Sequence, residues 1–200
     1  MKYNPNIHHR RSIRLQNYDY SQAGAYFVTI CIQNRECLLG KIDNNVIVLN
    51  EYGLIVQDKW LDLVNHIDNI ELGEYVIMPN HFHGIIIVGA GSKPAHEPEI
   101  NNMIGADLEL GAGEPRAGLE PAPTKKCYGL SEIVRQFKTF SAKRINIIRQ
   151  TPAVPVWQRN YYEHIIRNDA DYMRIAEYVD NNPRLWAEDS LNPVNTPPSP

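Results

Sequence analysis

His81 and His83 stand one residue apart in the run Tyr75-Val-Ile-Met-Pro-Asn-His-Phe-His-Gly-Ile-Ile-Ile-Val88, where nearly every other residue is apolar. A strand alternates its faces residue by residue, so both imidazoles point one way and Phe82 the other. Two neutral imidazoles on one face can share a metal ion. The same spacing suits two hydrogen-bonded histidines beside a turn at Pro79-Asn80, and His-x-His alone does not separate these readings. A second constellation lies near the end of the chain, in Asp171-Tyr-Met-Arg-Ile-Ala-Glu-Tyr178-Val-Asp-Asn-Asn182-Pro183. Four residues apart on a predicted helix, Tyr178 and Asn182 fall within about 40° of each other, on the flank of a core face made by Tyr172, Ile175, Ala176 and Val179. The phenol then stands at a groove edge with the carboxamide one turn below it. The alternative is a half-buried Tyr with its hydroxyl in water and an Asn closing the helix before Pro183.

The elements that must bring these side chains together follow from periodicity. Residues 25–33 are rich in β-branched and aromatic types and predict a strand. Residues 37–50 predict a short hairpin around Asp43-Asn44-Asn45. Asn50 is placed to cap a helix running to about Ile67, with Tyr52, Val56, Trp60, Leu63 and Ile67 at helical spacing. Two antiparallel strands follow, over 70–78 and 81–88, joined by Pro79-Asn80. Ser131 is expected to cap a helix to about Arg149, with Ile133, Phe137, Phe140, Ile145 and Ile148 as its apolar face and Arg135, Lys138 and Arg149 opposite. A strand over 162–167 and a helix over 169–181 complete the order strand, helix, strand, strand, helix, strand, helix. That order predicts an α+β sandwich with a mainly antiparallel sheet.

The chain of 200 residues reads as one domain over 1–186, with 43% hydrophobic and 22% charged residues. It carries a basic arm at 1–22, an acidic Gly/Pro-rich insertion at 89–126 expected to be mobile, and a tail at 187–200 expected to be disordered. The net charge of −3 hides an uneven distribution. Residues 91–124 hold six acids against Lys93 and Arg116, so the remainder comes to +1. Its positive charge clusters at Lys2, Arg10, Arg11 and Arg14 and again over 125–149, the footprint of a phosphate-rich partner or of a solvated face. The three cysteines show no CxxC spacing and cannot all pair. No apolar run approaches the roughly 20 residues of a membrane span, and the polar N-terminus lacks the apolar stretch of a signal peptide. A reducing cytoplasm is the expected location.

Several stretches together resemble the single-tyrosine HUH (His-hydrophobe-His) transposases, most closely the REP-associated tyrosine transposases. They are Arg10-Arg-Ser-Ile-Arg-Leu15, Gly24-Ala-Tyr-Phe-Val-Thr-Ile30, Val76-Ile-Met-Pro-Asn-His-Phe-His-Gly-Ile85, Phe137-Lys138, and Trp157-Gln-Arg-Asn-Tyr-Tyr-Glu-His-Ile-Ile-Arg-Asn168 with Tyr178 and Asn182-Pro183. The resemblance implies a ferredoxin-like fold. It implies His81 and His83 as metal ligands, Asn182 at the third, helix-borne ligand position, and Mg²⁺ or Mn²⁺ as the ion. It implies Tyr178 as the nucleophile of a DNA nicking and joining reaction that passes through a 5′-phosphotyrosine link.

The implied partner is single-stranded or hairpin DNA with palindromic repeats, bound by a monomer or homodimer with no membrane involved. Arg10, Arg11 and Arg14 would then form an arm along that DNA, and Arg135, Lys138 and Arg149 a second contact. His164 is placed to reach the site from behind the ligands, against the alternative of a hydrogen-bonded core histidine. Tyr161, Tyr162 and Tyr172 are the competing tyrosines, all at positions that packing explains. Trp157 is either a base-stacking platform or a core residue. Two other functions fit the same residues: a structured DNA- or RNA-binding module without turnover, and a metal-dependent phosphohydrolase using water in place of Tyr178.

Overall fold

The computed structural model describes residues 22–89 and 128–195. Along the chain these form β1 (Gly24–Cys31), β2 (Gly40–Asp43), β3 (Val46–Leu49), α1 (Glu51–Leu61), α2 (Leu63–His66), β4 (Ile70–Ile77), β5 (His81–Val88), α3 (Leu130–Ile148), β6 (Tyr162–Ile166) and α4 (Asp169–Asn181). Four strands make one sheet in the order β4-β5-β1-β6, and each neighbouring pair is antiparallel. β2 and β3 form a separate hairpin. With that hairpin and the short α2 set aside, the order β1-α1-β4-β5-α3-β6 is the βαββαβ of a ferredoxin-like fold, which the resemblance implies. One element is added: α4 follows the last strand and covers the other face of the sheet.

Strand alternation builds the two faces. Tyr26, Val28, Ile30, Phe82 and Ile86 point toward α1 and α3 and form the larger core with Trp60, Leu130, Ile133 and Phe137. Trp60 packs at its centre, 4.6 Å from the Phe82 ring and 5.4 Å from the Phe137 ring. Gly84 makes that approach possible, because a Cβ there would come within 2.8 Å of both Phe82 and Trp60. Phe27, Val76, Ile85 and Ile166 point the other way and pack on Ile175 and Val179 of α4.

Local signals and structure agree closely at the start of α1. Asn50 Oδ1 accepts from the backbone N–H of Tyr52 and of Gly53, both at 3.0 Å, and its Nδ2 donates to Leu38 O at 2.8 Å. The long helix expected to reach Ile67 is instead two, broken at Asp62.

α3 differs from expectation in two ways. Gly129 rather than Ser131 is its N-cap, with no side-chain bond, and Ser131 lies inside the helix. Phe140 and Ile148 are exposed, while Val134 and Ser141 are buried. The buried stripe passes through 137, 141 and 145, and the small Ser141 fits under Trp157. Its hydroxyl donates to Phe137 O at 2.6 Å and accepts Trp157 Nε1–H at 2.9 Å, which makes Trp157 a core residue. Residues 187–195, expected to belong to a disordered tail, are ordered. They hold 3₁₀ turns at Trp186–Glu188 and Pro193–Asn195, and Leu191 O accepts from Asn80 at 2.8 Å.

Candidate active site

β5 carries both histidines onto the face that α4 covers, and neighbouring polar groups orient each ring. Asn80 Nδ2 donates to two carbonyls, Arg35 O at 3.1 Å and Leu191 O at 2.8 Å, so its Oδ1 is the atom facing His81 Nδ1 at 2.8 Å. An acceptor there requires the proton on Nδ1, which leaves the His81 Nε2 lone pair bare. His83 Nδ1 meets Thr29 Oγ1 at 2.8 Å, and its Nε2 meets the Tyr178 hydroxyl at 3.4 Å. The two imidazoles stand 4.6 Å apart, and Phe27 stacks on the far side of His83 at 5.2 Å.

Both rings are buried, at 0% and 3% exposure. Burial holds His81 down to about 4 against the upward pull of the Asp189 carboxylate and the Asn182 amide. It drives His83 well below the usual histidine value, with His81 adding to the effect. Both are therefore neutral at neutral pH, the form that offers lone pairs to a cation.

α4 supplies the opposite wall. Its N-terminus is fixed by Asn168, whose side chain accepts from Asp171 N–H. Ile175 and Val179 anchor it to the sheet, so Tyr178 and Asn182 face the histidines. Asn182 is buried and its Oδ1 has no hydrogen-bond partner. Tyr178 is 43% exposed, opening on a cleft of about 700 Å³ bounded also by Phe27, Thr29, His83, Tyr162 and His164. Burial raises the phenol's pKa, with Asn182 lowering and Asp189 raising it in smaller measure. The phenol is thus harder to ionise here than in free tyrosine.

The acceptors on this wall are of types that cations take. His81 Nε2 and Asn182 Oδ1 are buried without donors, and His83 Nε2 meets only the phenol, at a long 3.4 Å. Among the described residues no three His, Cys, Asp or Glu side chains converge on a shared ion. A cation here would need a donor of another type, and the Asn182 amide oxygen is one that suits hard cations such as Mg²⁺ and Mn²⁺.

The other predicted residues divide. Tyr172 donates to Glu74 at 2.6 Å and is taken up in structure. Tyr161 packs against the larger core, and Tyr162 is half-exposed on the cleft wall. His164 is bonded to Asp171 at 2.9 Å and faces the same cleft, so it is neither a free catalytic base nor a simple core histidine.

The predicted cationic stripe is dispersed among local contacts. Arg135 pairs with Glu132, and Arg149 Nε donates to Asn146 at 2.9 Å. Lys138 Nζ donates to Gln158 O and Arg159 O at 2.7 and 2.9 Å, and burial lowers its pKa. Arg10, Arg11, Arg14 and the acidic insertion, apart from Gly89, lie outside the described residues.

Sequence reasoning missed Thr29, Asn80 and Asp189. Strand parity with Phe27 puts Thr29 on the histidine face, but only the β1–β5 register sets it opposite His83. By sequence Asn80 reads as a turn residue. Asp189 lies in the segment that the sequence predicts as tail.

An uncharacterized protein of Haemophilus influenzae is 40% identical over 191 residues, spanning 95% of this chain and 97% of its own length. The chain belongs to that protein's family. No family model matches it. Among solved structures, a REP-associated tyrosine transposase bound to a REP hairpin superposes over 93% of this chain and 92% of its own, with a TM-score of 0.51 and 15% identity. The fold is thus shared with that transposase, in agreement with the resemblance carried by the motifs. Among the described residues, no helix is long and apolar enough to cross a membrane.

Proposed function

We propose that this protein is a single-tyrosine HUH enzyme that nicks and rejoins hairpin-forming or single-stranded DNA through Tyr178. The observation that carries the reading is the meeting of the Tyr178 hydroxyl with His83 Nε2, 3.4 Å apart across the sheet–helix boundary and beside His81. Residues 95 positions apart in sequence are brought together by β5 and α4 at the edge of an open cleft.

In this reading the Tyr178 oxygen attacks a backbone phosphorus in line and gives up its proton to solvent in the cleft. The bond from phosphorus to the 3′-oxygen breaks, and that oxygen leaves with the bond's electrons and takes up a proton. The phosphate stays on Tyr178 as a 5′-phosphotyrosine, and a second strand's 3′-hydroxyl can reverse the step. His81, His83 and Asn182 would hold a Mg²⁺ or Mn²⁺ ion, which would supply positive charge to the phosphate oxygens and offset the upward push on the phenol. Asn80 and Thr29 fix the ring orientations, so the lone pairs are set before any substrate arrives. Phe27 and Tyr162 offer aromatic surface to an unpaired base.

Incubation of the protein with labelled palindromic hairpin DNA and Mn²⁺ should yield an adduct that survives SDS. Tyr178→Phe should lower adduct formation by at least about a thousandfold while DNA affinity stays within a few fold. Cleavage that persists in Tyr178→Phe would instead show water as the nucleophile. Hairpin binding with no adduct from the wild-type protein would leave only a binding module.

A further inference from the structure

A polynucleotide that enters the cleft beside Tyr178 brings a negative charge with every phosphate. The cationic stripe on α3 does not meet that charge, because its side chains are held in local contacts. Among the described residues that line the cleft, Arg174 is the one lysine or arginine. It stands on α4 four residues before Tyr178, so the two side chains share a face with Cβ atoms about 5–6 Å apart.

Arg174 is exposed but not loose. Its Nη2 donates to Asp171 Oδ1 at 2.5 Å. The other carboxylate oxygen lies 2.9 Å from His164 Nε2, and Asn168 Oδ1 accepts from Asp171 N–H at 2.9 Å. Asp171 is thus fixed at the first turn of α4 with both oxygens engaged. With Arg174 68% exposed, such a pair contributes little to stability. What it does is orient the guanidinium, and the remaining N–H donors stay available to an anion. His164 lies across from Phe27 in the β1–β6 register, and the Phe27 ring meets that of Tyr178 edge-on at 6.1 Å. His164, Arg174 and Tyr178 therefore border one stretch of the cleft.

We propose that Arg174 binds a backbone phosphate of the DNA, the one next to the phosphate that Tyr178 attacks. Gripping that neighbour fixes the register of the strand and so selects which phosphodiester reaches the phenol. The inference rests on the DNA reading above and gives the cation no part in the contact.

Binding is read on the full chain carrying Tyr178→Phe, so that no covalent link forms, with a labelled palindromic hairpin that has a single-stranded flank. Adding Arg174→Gln should weaken binding at least about tenfold. It should also make the slope of log affinity against log salt shallower by about 0.7–1. A scan that replaces single phosphates with uncharged methylphosphonates locates the contact. At one position the substitution should weaken binding by Tyr178→Phe about tenfold and by the double variant hardly at all. That position should lie beside the phosphate that wild-type protein carries on Tyr178 in the adduct. No hairpin binding before Arg174 is changed defeats the DNA reading and this inference together. Affinity and slope left unchanged by Arg174→Gln, or coupling confined to phosphates of the duplex stem, overturns this inference alone. Binding that depends on Arg174, with no adduct from wild-type protein, supports the contact and removes the nicking chemistry.

Discussion

The two faces of the four-stranded sheet come from the same strands and do opposite things. Toward α1 and α3, β1 and β5 present Tyr26, Val28, Ile30, Phe82 and Ile86, all fully buried and apolar apart from one tyrosine hydroxyl. Toward α4 the same strands present Thr29, Cys31, His81 and His83 beside the apolar Phe27 and Ile85, and His81 Nε2 is a buried acceptor that lacks a donor. The first arrangement stabilises the fold by burying apolar area. The second costs stability, because polar atoms are desolvated without full hydrogen bonding. Alternation lets one hydrogen-bonded framework hold both, so rigidity on one side fixes geometry on the other.

Breaking the apolar face should cost most in stability. Phe82→Ala leaves a cavity against Trp60 and Phe137 and should lower the unfolding free energy by about 3–5 kcal/mol, measured by urea denaturation. A loss below about 1 kcal/mol would mean that this face is not the stabilising one.

The polar face should reveal itself in pH dependence. His81 is held at about 4 when folded and returns to an ordinary value near 6.5 when unfolded. Unfolding therefore takes up a proton between those values. The stability tied to a neutral His81 is whole above pH 6.5 and falls away as pH drops toward 4, by about 3 kcal/mol. His83, shifted in the same direction, adds to the fall. Thermal melts in EDTA from pH 7 to 4.5 should show this slope, and Phe82→Ala should melt lower with the slope unchanged. A flat profile would contradict two neutral buried imidazoles.

The finest test concerns orientation. Thr29→Val keeps the side-chain shape and removes the hydroxyl at His83 Nδ1. It should weaken Mn²⁺ binding by about 10–100-fold in a titration while leaving the fold intact. Equal affinity would show that Phe27 stacking alone sets the ring.

The sheet, the antiparallel pairing and the helix order were legible because period-2 and period-3.6 patterns record local burial. His81, His83, Tyr178 and Asn182 were legible as types at spacings. What was not legible required registers and loop paths. Phe140 reads as core by hydrophobicity, yet the path of α3 buries Ser141, whose two hydrogen bonds make a polar residue cheap to enclose. Lys138 reads as a phosphate contact, yet two carbonyls of the 158–159 segment hold it. Asp189 follows Pro183 in a stretch of low pattern, and Asn80, 109 residues before Asp189, helps tie that stretch to the site by holding Leu191 O.

The phosphotyrosine link itself can be located. After reaction with a short palindromic hairpin and Mn²⁺, nuclease trimming and tryptic digestion, the peptide over 175–184 should appear heavier by one or more nucleotides. Fragmentation should place the added mass on Tyr178. Mass added at Tyr161, Tyr162 or Tyr172, or DNA cleaved with every tyrosine peptide unmodified, would contradict the account.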